Sequence, residues 1–110
     1  MRKLERQMNF ALSNRGNWSG SNTMVRYDAD HNESRVFLHG HNIATLDHND
    51  GLLTLSSCGY ETNTTKSRLN AILEEVRFGT RVFQKNWMWF LSDNQKTVDF
   101  QDGIIIDVNF

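Results

Sequence analysis

Residues 62–68, TNTTKSR, gather hydroxyls, an amide and two cations at the start of an expected helix. The first backbone N–H groups of a helix lack intrahelical partners, and its aligned peptide dipoles place about half a positive charge there. Such an end suits a phosphate or another anion. The charges of the segment run against the dipole, with Lys66 and Arg68 near the start and Glu74 and Glu75 near the end. Each misplaced charge costs about 0.3–1 kcal/mol. Neither cation has an acid four residues on, where Asn70 and Ile72 stand. Two readings follow: a bound anion relieves the conflict, or Thr64 or Thr65 caps the helix while Lys66 and Arg68 pair with Glu61 or an acid on a strand.

A second group lies in FQKNWMWFL, residues 83–91. In an extended strand Trp87, Trp89 and Leu91 share one face and Met88 and Phe90 the other. Rings beside Arg81 and Lys85 are what a single-stranded nucleic-acid groove uses, bases stacking on aromatics while cations follow the backbone. A strand buried on both faces reads the same way, and protein interfaces also enrich Trp, Phe, Met and Arg. The candidate anion- or nucleic-acid-binding residues are therefore Thr64, Thr65, Lys66, Arg68, Arg81, Lys85, Trp87 and Trp89, with Arg77 nearby.

Other chemistry has little to rest on. Asp28, Asp30, His31, His39, His41, His48 and Asp50 are metal-capable types, and His39 and His41 would share a strand face if their segment stays extended. Most of the others fall in expected turns, and no HExxH or related ligand spacing occurs. Cys58 has no base marked out beside it, and there is no G-x-S-x-G, P-loop or dinucleotide-binding glycine pattern. No catalytic residue, metal or cofactor is expected.

The elements that must position these residues are short. Leu4, Met8, Ala11 and Leu12 stand at i, i+4, i+7 and i+8, which predicts an N-terminal amphipathic helix over residues 1–13. SNRGNWSG then reads as a linker over 14–21, leaving the helix loosely attached or available to a partner or a second copy. Residues 22–110 form the expected single domain. It begins with four antiparallel strands: a hairpin from Thr23 to His39, then strands on either side of HNDG, whose Asp50-Gly51 favours a tight turn. Leu69, Ile72, Leu73 and Val76 define the central helix, ended near Gly79. RVFQKNWMWFLSD, KTVDFQ and GIIIDV supply the later strands, with Lys85-Asn86 as one of the turns. The expected class is α+β: one mainly antiparallel sheet with the helix packed on a face, plus the N-terminal helix.

At 110 residues, 38% hydrophobic and 23% charged, the chain has material for one core. Its net charge of −1 opposes a uniformly basic nucleic-acid binder, but the charges are segregated. Residues 1–15 carry Arg2, Lys3, Arg6 and Arg15 against Glu5, whereas residues 93–107 carry Lys96 against Asp93, Asp99, Asp102 and Asp107. One cysteine excludes an intramolecular disulfide and fits a reducing compartment. No secretory h-region and no apolar run near the roughly 20 residues of a membrane span occur, so a cytoplasmic protein without a membrane partner is expected.

The segments VFLHGHNIATL, DGLLTLSSCGYETNTTKSRLNAIL, RVFQKNWMWFL and FQDGI, in that order, resemble a group of small phage-encoded proteins of unknown function. These share an LHG…IA segment, a T-x-TT approach to an RLNA helix and a VFQ…W strand. The resemblance spans residues 22–103. It implies a viral context and action in the cytoplasm of a host cell, and brings no activity with it. The expected function is a small accessory binding protein without catalysis, engaging nucleic acid or another polyanion at 62–68. The alternative is a module that inhibits or redirects a host protein. A homo-oligomer is open in either case.

Overall fold

A computed structural model describes residues 1–108; residues 109 and 110, the end of the expected domain, lie outside the described residues. The order is α1 (Lys3–Ser13), β1 (Trp18–Gly20), β2 (Thr23–Asp28), β3 (Glu33–Leu38), β4 (His41–Asp47), β5 (Leu52–Leu55), α2 (Asn63–Val76), β6 (Arg81–Lys85), β7 (Met88–Ser92), β8 (Thr97–Asp99) and β9 (Ile104–Asp107). The class is α+β, with every strand pair antiparallel.

Five strands, not four, precede α2, because residues 18–20 of the expected linker pair with β2 as β1. They form a meander closed on its far side by β9, in the order β1-β2-β3-β4-β5-β9. Alternation puts Val25, Val36, Leu38, Leu46, Leu53, Leu55 and Ile106 into the core. On β4 the register shifts opposite Val36 and Phe37, and consecutive Ile43 and Ala44 are both buried. A bulge of this kind breaks the alternation locally. Met8, Ala11 and Leu12 of α1 and Leu69, Ala71, Ile72 and Leu73 of α2 join the same core.

The expected single sheet is instead two. β6, β7 and β8 form a separate three-stranded sheet. The Asn70 side chain on α2 accepts from the Val82 N–H at 2.7 Å and donates to the Val82 carbonyl at 2.9 Å. Those two bonds occupy main-chain groups that a further strand would use, and they tie β6 to the helix.

Helix α1 is docked, contrary to a loose attachment. Glu5, Asn9 and Ser13 stand at i, i+4 and i+8 on α1 and meet Ser67, Ala71 and Glu75 at the same spacing on α2. Ser67 Oγ donates to Glu5 Oε2 at 2.6 Å, Asn9 Nδ2 to the Ala71 carbonyl at 2.9 Å, and Ser13 Oγ to Glu75 Oε2 at 2.6 Å. The constant offset means that the two helices run parallel. At one end of this ladder the Arg68 guanidinium donates to Glu5 Oε2 at 2.9 Å, both side chains being 4% exposed. Among the described residues no helix is long and apolar enough to cross a membrane.

Burial alone would raise the pKa of Glu5, but hydrogen bonds from Ser67, Arg68 and the Arg2 N–H, with the Arg68 charge, hold it below the ordinary carboxylate value. A depressed carboxylate contributes stability above its unfolded-state pKa and loses it as pH falls through the folded-state pKa. Thermal melts of Glu5→Gln are therefore expected to show a loss of about 3–5 kcal/mol at neutral pH. The deficit should shrink as pH is lowered below the ordinary glutamate range. A deficit that stays constant down to acid denaturation would contradict the ionised pair.

Candidate functional site

The small sheet presents the best-organised exposed chemistry. Cross-strand partners in an antiparallel ladder project to the same side. Arg81 pairs with Ser92, Phe83 with Phe90 and Lys85 with Met88, and Phe90 in turn with Asp99. One face therefore carries Arg81, Phe83 and Lys85 along β6, Met88 and Phe90 on β7, and Asp99 at the margin. The other face turns Val82, Trp89 and Leu91 into the core.

On the outer face the Phe83 and Phe90 rings stack with centroids 5.5 Å apart and planes 27° from parallel. The Arg81 guanidinium lies 5.1 Å from the Phe83 centroid, in cation–π range. Both rings are half-buried, while Arg81, Lys85 and Met88 are exposed. In the β7–β8 turn the Asp93 carboxylate accepts from the Gln95 and Lys96 N–H groups at 2.8 and 2.9 Å. These bonds lower its pKa and fix that turn.

The β6–β7 turn is Asn86-Trp87, one residue later than expected, since Lys85 and Met88 close it. Both turn residues have positive φ, 52° and 67°. This suits a two-residue hairpin turn of mirror-image type, where Asn-Gly is the favoured pair. A tryptophan there is strained, by about 1–3 kcal/mol. Trp87 is 90% exposed, projecting at the hairpin tip.

The expected pairing of Trp87 with Trp89 on one face is therefore corrected. Trp87 leaves the strand at the turn, and Trp89 is 4% exposed in the core, against Phe100. Slipping a turn by one residue changes which side chains share a face. Phe83, the ring that does meet Arg81, and Phe90 stacked on it form a pair that exists only in the true register.

The helix start is also different from the expectation. Thr62 is the cap, its Oγ1 accepting from the Thr65 N–H at 3.1 Å. Thr65 is buried, and Thr64 and Thr65 line a cavity of about 330 Å3 with His39, His41 and Tyr60. Arg68 points inward: besides Glu5 its Nε donates to Thr23 Oγ1 at 3.0 Å and its Nη2 to Asn22 Oδ1 at 3.2 Å. Its acid comes from α1, neither from Glu61 nor from a strand. Lys66 Nζ stands 3.5 Å from Gln84 Oε1 and 5.8 Å from the Trp89 centroid. Thus Arg81 and Lys85 share one surface, whereas the 62–68 set does not assemble an exposed pair of cations.

His39 and Gly40 form the β3–β4 turn with φ of 52° and 80°, so His39 is not in line with His41, whose ring stacks on Tyr60 at 4.6 Å. Cys58 donates to the Asn42 carbonyl, Sγ to O 3.1 Å. No group of three or more His, Cys, Asp or Glu arranged to hold a metal occurs among the described residues.

Residues 1–107 match the family model described as Kyanoviridae Gp96 protein, and the chain belongs to that phage protein family. The match extends over α1 as well as the segments that carried the resemblance. No curated protein and no solved structure matches the chain.

The two neighbouring tryptophans should separate cleanly in solution. Trp87→Ala is expected to reduce the red-shifted, acrylamide-quenchable emission, to which the half-buried Trp18 also contributes, and leave stability within about 0.5 kcal/mol. Trp89→Ala should cost about 3–5 kcal/mol in chemical denaturation. Equal costs for the two would place both rings in the core and refute the assigned turn.

Proposed function

We propose that this member of the Kyanoviridae Gp96 family is a non-catalytic binding protein that engages single-stranded nucleic acid on the outer face of β6–β8, in the cytoplasm of the infected cell. What supports the reading is the stacked Phe83–Phe90 pair held between Arg81 and Lys85 on an exposed sheet face. Bases stack on such rings without regard to sequence, and the cations follow the phosphates. Arg81, Phe83 and Lys85 alternate along one strand, about 13 Å from first to last, so charge and ring interleave along the path of a strand laid over them.

Trp87 extends the same surface at its tip. A left-handed tryptophan in a turn that prefers glycine is not selected for stability, and an aromatic contact with a ligand gives it a role. Lys66 anchors the opposite face of this sheet and takes no part. The face is small, with Asp99 at its margin. Its two cations predict a shallow salt dependence, a slope of log affinity against log salt of about −1.4.

Fluorescence anisotropy with labelled single-stranded DNA and RNA, at low and moderate salt, tests this. Replacing Phe83 or Phe90 by Ala should weaken binding by about 1–3 kcal/mol per stacked base lost. Arg81→Gln and Lys85→Gln should each flatten the slope of log affinity against log salt by about 0.7. Trp87→Gly is expected to raise the melting temperature and weaken binding together, because it removes both the strain and the ring. Absence of binding by the wild-type protein at low salt would sink the proposal.

A further inference from the structure

A groove of about 580 Å3 runs between α1 and β1, and none of its lining residues belongs to the small sheet. One wall is a stripe of α1, with Lys3, Arg6, Phe10 and Asn14 at i, i+3, i+7 and i+11, on the side away from the buried Met8 and Leu12. Phe10 is 72% exposed, a large ring left in solvent on a helix that buries Met8, Ala11 and Leu12. The other wall is Trp18, whose ring lies over Gly20 so closely that a Cβ there would stand 2.6 Å away. The ring is thus held as a fixed surface.

Two further features define what the groove accepts. β1 pairs with β2 alone and forms an edge of the six-stranded sheet. Gly20 and Thr23 flank the two-residue turn, so the ladder points the Ser19 N–H and C=O outward, while the Trp18 carbonyl accepts from Arg26 Nη1 at 3.5 Å. The charged residues along the groove are cations, Lys3 and Arg6, with no acid among the lining residues. Arg6 Nη1 donates to the Met1 carbonyl at 2.9 Å, which leaves its remaining donors for a ligand.

We propose that this groove captures an extended acidic peptide segment of a partner protein, added as a strand along β1. Its main chain pairs with the free edge, an apolar side chain lies between Phe10 and Trp18, and its carboxylates face Lys3 and Arg6. Strand addition gives affinity through backbone bonds, and the flanking pocket gives selectivity. A peptide satisfies the open edge, whereas a nucleic-acid strand lacks the alternating amide pattern that would pair with it. A second copy meeting edge to edge would bring two sets of Lys3 and Arg6 together, which opposes association. The inference is independent of the nucleic-acid reading, since the two surfaces share no residue.

Selection of a displayed random dodecapeptide library on the full chain is the test. Enriched peptides should combine Asp or Glu with a large apolar residue. They should slow hydrogen exchange of a β1 amide and bind with an affinity that falls about tenfold for Arg6→Glu and for Phe10→Glu. Both side chains are exposed, and unchanged melting temperatures would verify that the variants fold. Binders that are basic, binders indifferent to both substitutions, or a library without binders would overturn the proposal. Nucleic-acid binding by the two variants should stay as in the wild type, which separates failure here from failure at the small sheet.

Discussion

The buried contact between Glu5 and Arg68 is the constraint on which the rest of the arrangement hangs. Two charges withdrawn from water gain little net stability, but either one left alone inside the protein is severely penalised. Arg68 therefore needs α1, and α1 needs this turn of α2. The same guanidinium reaches Thr23 at the first residue of β2 and Asn22 in the turn before it. One side chain thus ties both helices to the start of the large sheet. It also accounts for Arg68 among the reversed charges of α2: the acid that offsets it is supplied from another helix, not from its own.

With α2 fixed on one side by α1, its other side places the small sheet. Asn70 holds β6 by the backbone of Val82, and Lys66 covers the hairpin end near Trp89. The inner face is then committed to the core, and the outer face is left with rings and cations. Phe83 with Phe90 on the small sheet and Phe10 with Trp18 beside the large one are aromatic pairs left at the surface. Each is accompanied by basic side chains and supported by rigid elements. The acids gather elsewhere, in turns such as 28–33, where Asp28 pairs with His31 and Glu33 with Arg35.

The sequence carried the local elements well and the long-range ones poorly. Leu69, Ile72 and Leu73 announce α2 by spacing, and Thr23–Asp28 appears where β propensity and turn residues place it. The Glu5 interaction was out of reach because its partners lie 62 and 63 positions away, and no local rule relates them. Nor does periodicity tell that Asn70 closes an edge and divides one sheet into two. The register of the hairpin at Asn86 is not legible locally, because Lys-Asn and Asn-Trp are both weak turn signals and the favourable Asn-Gly pair is absent. A turn one residue earlier aligns the two tryptophans on one face and separates Phe83 from Phe90, which the true register pairs. Arg81 and Lys85 share the outer face with Phe83 and Phe90, while of the two tryptophans only Trp89 is withdrawn into the core.

The parallel ladder of Glu5, Asn9 and Ser13 against Ser67, Ala71 and Glu75 has a consequence for biogenesis. The chain emerges from the ribosome with α1 ahead of α2, and the partners of that helix follow 62 residues later. At about 5–20 residues per second the delay is roughly 3–12 s. An 11-residue helix is too short to persist by itself in water over that interval. α1 therefore acquires its partners only once α2 is made, and nascent chains shorter than the end of α2 leave Glu5 and Asn9 without Ser67, Arg68 and Ala71.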